Sequence, residues 1–200
     1  MTVDKYGVGE DPYCYPASDI LINLLSLQDN DELVGAERAL TSIAASEIEF
    51  EPPPYSLEYL RALHRHLFRD VYHWAGALRT IDLSKGSTRF CTVDRIVPEA
   101  ERVFQRLAQA DWLEGVGRSV LVQALALHYG DLNMVHPFRE GNGRAQRLLF
   151  EHLIINAGYQ IDWWRVDEAH WLQANIDAVT CDYQGLQAVF EACVGEPIAD

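Results

Sequence analysis

The sequence predicts an all-α fold that carries a single β-hairpin. Apolar residues recur at the spacing of an α-helix over most of the 200-residue chain. One stretch, LRTIDLSKGSTRFCTV at residues 78–93, instead alternates and has Ser-Lys-Gly-Ser at its middle. That pattern is typical of a β-hairpin with a glycine-containing turn. Because a lone hairpin is unstable, we expect it to lie on the helical body or to project from it as a flap.

The helical pattern divides into separate stretches. After an irregular arm, helices are expected over residues 17–27, 32–50, 55–76, 93–113, 117–135, 141–158 and 166–194. Ser18 and Ser56 are placed to cap the first and third of these helices, and Gly76 and Gly158 to end the third and sixth. The last stretch has room for a break near Cys181.

Three consecutive prolines, Pro52–Pro54, mark a junction, because proline interrupts a helix. The sequence therefore predicts an N-terminal arm and helices, residues 1–50, packed on a main domain, residues 51–200. A chain of 200 residues is long enough to bury a sizeable core.

The composition narrows the classes of function. A formal net charge of −14 repels phosphate backbones, so we expect no direct nucleic-acid partner. Arginines nevertheless cluster at Arg139, Arg144 and Arg147. On charge alone, pairing with surface acids explains this cluster better than a pocket for a small anion.

Cysteine usage and the chain ends indicate a compartment. The four cysteines lack CxxC spacing, which favours reduced thiols in a cytoplasmic protein. The polar N-terminus does not resemble a secretory signal, and the longest apolar stretches are too short to span a bilayer. We therefore expect a cytoplasmic protein without a membrane partner.

The stretch HPFREGNGRAQR, residues 136–147, concentrates chemistry in twelve residues. Pro137 disfavours helical geometry at His136, so the imidazole should lie in a loop, where it is suited to move a proton. Gly141-Asn142-Gly143 then opens a helix. Inward-pointing backbone N–H groups and the helix dipole make such a start an anion site, and Asn142 is placed to cap it.

Two arginines and an acid complete this stretch. Arg144 and Arg147 lie three residues apart near the helix start, where cations oppose the dipole unless a polyphosphate is bound. Glu140 would repel that phosphate unless Mg²⁺ bridges them. Phe138 is expected to anchor the loop in the core. Each feature alone favours a bland explanation, such as surface arginines paired with Glu140, but their order favours phosphoryl or nucleotidyl transfer.

This stretch resembles the signature of the Fic family, HPFx(D/E)GNGRxxR, at every fixed position. YHWAGALRTIDLSKGSTRF resembles the family's flap region. The N-terminal DPYCYP and DILINLL resemble the arm of bacterial Fic proteins from the toxin–antitoxin branch. The resemblance covers nearly the whole chain and implies a helical bundle with a β-hairpin flap over the active site.

The resemblance also implies a reaction, the transfer of AMP from ATP to a hydroxyl of a target protein. His136 would be the general base, and Glu140 would hold Mg²⁺ against the phosphates. The backbone of Gly141, Asn142 and Gly143 would cradle the phosphates. Arg144 would stabilise the leaving pyrophosphate, and Arg147 would orient the γ-phosphate.

Two further groups of residues are assigned through the resemblance. The family's flap docks the target by strand addition, and the candidates here are Thr80, Ile81, Lys85, Gly86 and Phe90. Ordinary hairpin packing explains the same five residues. Trp171 and Asn175, four apart on the last helix, are candidates to lie beside the adenine, although Trp171 equally suits a core position.

Many Fic proteins carry an inhibitory helix with the pattern (S/T)xxxE(G/N), and this chain lacks it. Glu precedes Gly only at Glu114 and Glu140, and Ala110 and His136 stand four positions earlier. We therefore expect a separate small antitoxin to supply an inhibitory glutamate opposite Arg147. The resemblance points to a type II topoisomerase subunit as the target.

Alternatives remain open at this level. One is transfer of a different phosphate-containing group on the same scaffold, and another is a regulatory or binding module of low activity. A metal site built from His64, His66 and His73 carries little weight, because His64 and His66 face different sides of one helix.

Overall fold

A computed structural model describes residues 11–86 and 88–198 and confirms the all-α fold with a small hairpin. The α-helices within these residues are α1 (Asn30–Ser46), α2 (Leu57–Phe68), α3 (Ile96–Gln109), α4 (Arg118–Val135), α5 (Asn142–Asn156), α6 (Glu168–Ala178) and α7 (Gln184–Cys193). Short 3-10 helices lie at Val93–Arg95, Asp111–Leu113 and Trp163–Arg165. The strands are β1 (Ser84–Lys85), β2 (Thr88–Arg89), β3 (Tyr159–Ile161) and β4 (Val194–Pro197). Part of the predicted arm, residues 1–10, lies outside the described residues.

Several predicted helix ends are confirmed. The Ser56 hydroxyl accepts a hydrogen bond from the backbone N–H of Tyr59 at the start of α2. Gly158 follows α5 with a φ of +89°, a conformation that glycine adopts without strain. The predicted break in the last helical stretch separates α6 from α7, and Cys181 lies in it.

The helix predicted over residues 17–27 is wrong. This segment forms turns, and Leu21 makes an isolated antiparallel bridge to Cys14. The Ser18 hydroxyl accepts from a backbone N–H two residues on instead of capping a helix. The Asn23 side chain binds the backbone of the segment on both sides of itself. Such local bonds compete with the helical ladder and override the apolar spacing.

The third predicted helix and the hairpin are shorter than expected. α2 ends at Phe68 and not at Gly76, because the backbone N–H of Gly76 bonds to a side chain of α2 and the intervening chain turns. β1 and β2 pair antiparallel over only two residues each. The pairing of β3 with β4 was not predicted, since their residues are distant in sequence and each strand is short.

The core places the signature inside the molecule. α4 and α5 pack on each other, and α4 also contacts α3 and α7. Leu121, Leu125 and Leu132 of α4 are fully buried, as are Leu149 and Leu153 of α5. The loop that joins the two most enclosed helices therefore has little room to move. No helix in the described part of the chain is long and apolar enough to cross a membrane.

Candidate active site

The signature forms the loop between α4 and α5 and the first residues of α5. His136 ends α4 with a φ of +46°, and Phe138 is fully buried, as predicted. Asn142 does not cap α5, contrary to our expectation. Its side chain accepts from the N–H of Phe138 and donates to the carbonyl of Phe138, both at 2.8 Å. These two bonds close the loop and fix where α5 begins.

The imidazole of His136 is held in one orientation. Its Nδ1 lies 3.2 Å from the carbonyl oxygen of Asn133. A carbonyl only accepts, so Nδ1 carries the proton and Nε2 is the basic nitrogen. The ring of Phe90 stacks on the imidazole, with centroids 3.8 Å apart and planes 13° from parallel. This is the tautomer that a general base at Nε2 requires.

Arg79 is a site residue that the sequence did not reveal. Its buried guanidinium donates to the carbonyls of His136 at 2.8 Å and Ile81 at 2.6 Å, and also to that of Cys91. Burial lowers the pKa of Arg79, and the nearby carboxylate of Asp82 opposes that shift. Arg79 therefore joins the base of the hairpin to the end of α4. Only its position at the start of the predicted hairpin stretch could have suggested this role.

Gly141 is required at the start of α5. It has a φ of +79°, and a Cβ there would lie 2.2 Å from the ring of Phe68. A Cβ on Gly143 would meet nothing within 4 Å. The first amides of an α-helix have no partner inside the helix, so those of Asn142 and Gly143 form a donor cradle for an anion.

Glu140 lies directly before the cradle. Its Oε1 accepts from the N–H of Gly141 at 3.0 Å. The side chain is half-buried, so the carboxylate borders the cradle without being sealed from solvent. One carboxylate beside a phosphate site is the donor set that Mg²⁺ uses in nucleotide sites, and Glu140 fits that ion.

His64 fixes the other side of Glu140, a role the sequence did not predict. The Nδ1 of His64 accepts from the N–H of Gly76 at 2.9 Å, so Nε2 carries the proton and donates to the Glu140 carbonyl, also at 2.9 Å. The ring stacks on that of Phe138, with centroids 3.8 Å apart. Burial, with the charge of Arg144 and then Arg65, lowers the pKa of His64 to about 3. His64 is therefore a neutral brace.

The three clustered arginines have different partners. Arg139 forms a buried ion pair with Asp11, with the side chains only 2% and 5% exposed and a 2.6 Å contact. Arg144 contacts Glu37 of α1 at 2.5 Å. Arg147 lies with its guanidinium 5.8 Å from the ring of Trp171. Two of the three arginines therefore pair with acids, as charge alone suggested, but their partners Asp11 and Glu37 are almost buried and do not lie on an open surface.

Of the two predicted adenine residues, Trp171 lies against the signature helix and Asn175 is bonded to Trp171. Trp171 is half-buried and packs edge-on against Tyr129, with centroids 5.1 Å apart, while it also meets Arg147. Asn175 donates to the carbonyl of Trp171 at 2.8 Å. The fold thus brings Trp171 to Arg147 of the signature, and a contact with adenine stays a prediction.

The five predicted flap residues do not share one environment. Lys85 and Gly86 are exposed at the turn, and Thr80 is exposed at the base. Ile81 is half-buried, and its carbonyl is taken by Arg79. Phe90 is only 9% exposed and covers His136. A docking role for these residues stays a prediction.

The N-terminal arm supports the base of the hairpin. The hydroxyl of Tyr13 accepts from the N–H of Thr80 at 3.1 Å and lies 3.2 Å from its hydroxyl. The ring of Tyr13 packs edge-on against Trp74. Together with the pair between Asp11 and Arg139, these contacts tie the arm to both sides of the site.

The sequence model of the Fic/DOC family matches residues 54–154, which include the whole signature. This chain belongs to the Fic/DOC family. It is 39% identical over 193 residues to the "Probable protein adenylyltransferase Fic" of Escherichia coli K12, with 96% of each chain covered. It is 35% identical over 176 residues to the "Protein adenylyltransferase VbhT" of Bartonella schoenbuchensis, covering 87% of this chain and 37% of that one.

Solved Fic structures share the fold. The N-terminal Fic domain of a Bartonella quintana effector with bound ADP has a TM-score of 0.86 at 28% identity, and the match covers 93% of this chain and 95% of that chain. A Bartonella tribocorum effector with bound AMPPNP has a TM-score of 0.85 at 25% identity, with 94% and 97% covered. The Fic fold therefore extends over nearly the whole chain, including α1, which precedes the stretch matched by the family's sequence model.

Proposed function

We propose that this chain is a protein adenylyltransferase that moves AMP from ATP to a hydroxyl of a target protein and releases pyrophosphate. The observation that carries the proposal is the tautomer of His136, whose basic Nε2 belongs to the same loop as the α5 anion cradle. The names of the relatives and the nucleotides bound in two Fic structures support it.

The residues of the site divide the chemistry among them. Nε2 of His136 takes the proton of the target hydroxyl as its oxygen attacks the α-phosphorus, and the bond to the β-phosphate breaks. The amides of Asn142 and Gly143 and the guanidinium of Arg144 stabilise the charge that develops on pyrophosphate. Arg147 orients the γ-phosphate. Phe90 keeps the imidazole in place by stacking on it.

Glu140 is proposed to hold Mg²⁺. Bound there, the ion supplies positive charge that offsets the repulsion between the phosphates and the Glu140 carboxylate. The hydrogen bond from the N–H of Gly141 and the brace from His64 keep that carboxylate and its backbone in place.

A labelling experiment tests the proposed reaction. The purified chain, ATP labelled at the α-phosphate and Mg²⁺ are added to a desalted bacterial lysate, beside the His136→Ala variant. We expect a labelled protein band with the wild type, and at least a hundredfold less labelling with the variant, because the general base is gone. Equal labelling in both samples would overturn the mechanism. Mass spectrometry of the band identifies the transferred group.

We further propose that a separate small antitoxin restrains the enzyme. The chain lacks the pattern (S/T)xxxE(G/N). Among residues 11–86 and 88–198 no carboxylate forms an ion pair with Arg147, whose guanidinium lies against the ring of Trp171. A glutamate supplied in trans would pair with Arg147 and occupy the γ-phosphate site. In this setting the protein works in the cytoplasm, where both ATP and the antitoxin are available.

The proposed inhibition can be tested by adding each small protein encoded beside the gene to the purified chain. We expect one that carries the pattern to raise the melting temperature of the chain and to stop the labelling of the lysate. Replacing its glutamate with Ala should restore labelling without abolishing the complex. Harmless expression of the chain alone, with no inhibitory neighbour, would refute the proposal.

The proposed target is a type II topoisomerase subunit. A segment of this subunit would dock on the hairpin by strand addition, near Lys85 and Gly86 at the turn. Trp171 and Asn175 would lie beside the adenine of ATP. Labelling of the purified subunit, followed by mapping of the modified residue, tests the target. If the purified subunit stays unlabelled under conditions in which a different protein of the lysate is labelled, the subunit is not the target.

A further inference from the structure

The first arginine of the signature is held by a helix that precedes the stretch matched by the family's sequence model. The guanidinium of Arg144 donates to Oε1 of Glu37 at 2.5 Å and to the hydroxyl of Thr41 at 3.3 Å, both on α1. Its carbon lies 4.7 Å from the centre of the Phe68 ring on α2. Two helices therefore contact one side chain of the active site.

Glu37 is a fully engaged and nearly buried carboxylate. The residue is 8% exposed, and its second oxygen, Oε2, accepts from the hydroxyl of Tyr72. Burial first, and then the charge of Glu37 and this hydrogen bond, raise the pKa of Tyr72 far above its ordinary value. Tyr72 thus stays a hydrogen-bond donor, and Glu37 is fixed between two partners.

The placement of Arg144 explains why it needs a carboxylate. Arg144 lies in the first turn of α5, where the helix dipole disfavours a cation. Glu37 compensates for that in the absence of nucleotide. Glu37 and Thr41 each accept from one terminal nitrogen of the guanidinium, and each of these nitrogens carries a second hydrogen. The side chain of Arg144 remains 27% exposed, so part of it is accessible to a ligand.

We propose that Glu37 is a positioning residue that holds the Arg144 guanidinium in the orientation in which it meets the departing pyrophosphate. This inference rests on the proposed adenylyl transfer. Arginine has many rotamers, and fixing one of them costs conformational entropy. If folding has already fixed the guanidinium, that cost is not added to the barrier of the reaction. Arg144 acts on charge that develops during the reaction. The contact with Glu37 should therefore affect kcat more than the KM for ATP.

A double-mutant cycle tests the role of Glu37. Glu37→Gln and Arg144→Ala are made singly and together, and initial rates of labelling in desalted lysate are measured over a range of ATP concentrations. We expect Glu37→Gln to lower kcat about tenfold with little change in KM, because an unheld guanidinium stabilises the transition state less well. In the Arg144→Ala background, Glu37→Gln should change kcat less than about twofold, because the group it positions is absent.

Two further variants separate positioning from loss of structure. Thr41→Val removes the second α1 contact while keeping the shape, and we expect a kcat loss of about two- to fivefold. Glu47→Gln removes an exposed carboxylate at the end of α1 that pairs with Arg69, and its kcat should equal the wild-type value. Thermal unfolding of every variant reports the folded fraction.

The possible outcomes are distinct. Equal losses from Glu37→Gln in both backgrounds would show a purely structural role and overturn the inference. A rise in kcat would show that Glu37 competes with phosphate, which also overturns it. An active wild type with an equally active Glu37→Gln variant refutes the inference and leaves the reaction standing, whereas a wild type that transfers nothing refutes the proposed function itself.

Discussion

The cradle at the start of α5 and the hairpin beside it serve the same site but are held very differently. The cradle is closed locally by the side chain of Asn142 and is braced from two distant segments, by His64 and by Asp11 in its buried pair with Arg139. The hairpin has two residues in each strand, and its turn is exposed. Groups that must stabilise charge are preorganised, whereas the element proposed to meet a protein partner is lightly held. Four substitutions test this contrast.

The largest effect is expected from Arg139→Ala. It leaves the buried carboxylate of Asp11 without its partner, which should lower the free energy of unfolding by about 3–5 kcal/mol. Urea unfolding followed by tryptophan fluorescence measures the loss. The matched control is Arg102→Ala, which removes an exposed arginine from Glu99, a half-buried acid that keeps its pair with Arg95, and should cost less than about 1 kcal/mol. Similar losses in the two variants would contradict a braced cradle.

Gly141→Ala should come next. The new Cβ meets the ring of Phe68 and sits at a φ of +79°, so we expect a loss of about 2–4 kcal/mol. Gly143→Ala is the control for stability, since a Cβ there meets nothing and a helical glycine is replaced by a better helix former. Thermal and urea unfolding compare the two. An equally tolerated Ala at position 141 would show that the start of α5 adapts.

The brace of His64 predicts a dependence of stability on pH. Its pKa is about 3 in the folded protein and near 6.5 in the unfolded chain, so below about pH 6.5 the unfolded chain binds a proton that the folded protein does not. Stability from neutral His64 is complete above pH 6.5 and is lost as the pH falls toward 3. The slope is at most about 1.4 kcal/mol per pH unit.

His64→Gln isolates this contribution, because glutamine keeps a donor and an acceptor but does not titrate. The free energies of unfolding of wild type and variant should converge as the pH is lowered from 7 to 5. Burial also lowers the pKa values of His128 and His152. Their contributions to the pH dependence are the same in the wild type and in the variant, so they cancel in the difference. A constant difference over this pH range would exclude His64 as the titrating group.

The smallest effect on stability is expected in the hairpin. Lys85→Ala removes an exposed side chain at the turn and should change the free energy of unfolding by less than about 0.5 kcal/mol. It should lower the labelling rate at limiting target concentration while leaving the KM for ATP unchanged, because Lys85 is proposed to contact the target and not the nucleotide. A raised KM for ATP would place Lys85 in the nucleotide site instead.

Predictions from local patterns held where one element decides the structure. The caps at Ser56 and Gly158 and the break near Cys181 follow from residues within one turn of each helix end. The predicted helix at residues 17–27 failed, because the Asn23 side chain bonds to nearby backbone. Asn142 failed as a cap for the same kind of reason, since its amide closes the loop on Phe138.

The site residues divide in a similar way. The signature is contiguous, so its chemistry could be recognised from twelve letters of sequence. Arg79, His64 and Glu37 could not be recognised, because each acts on the signature from a position at least fifty residues away. The role of each of these three residues depends on the polar group that it contacts in the folded chain.

The sequence by itself determined the helical periodicity, the hairpin and the order of histidine, acid, glycine turn and arginines, because these depend on neighbours along the chain. Only the tertiary structure decided which charges are paired, with Asp11 on Arg139 and Glu37 on Arg144. The chain has 30 acidic and 16 basic residues, Lys and Arg together, so composition leaves many pairings open. Burial selects among them, because a charge removed from water requires a partner at the place where the fold encloses it.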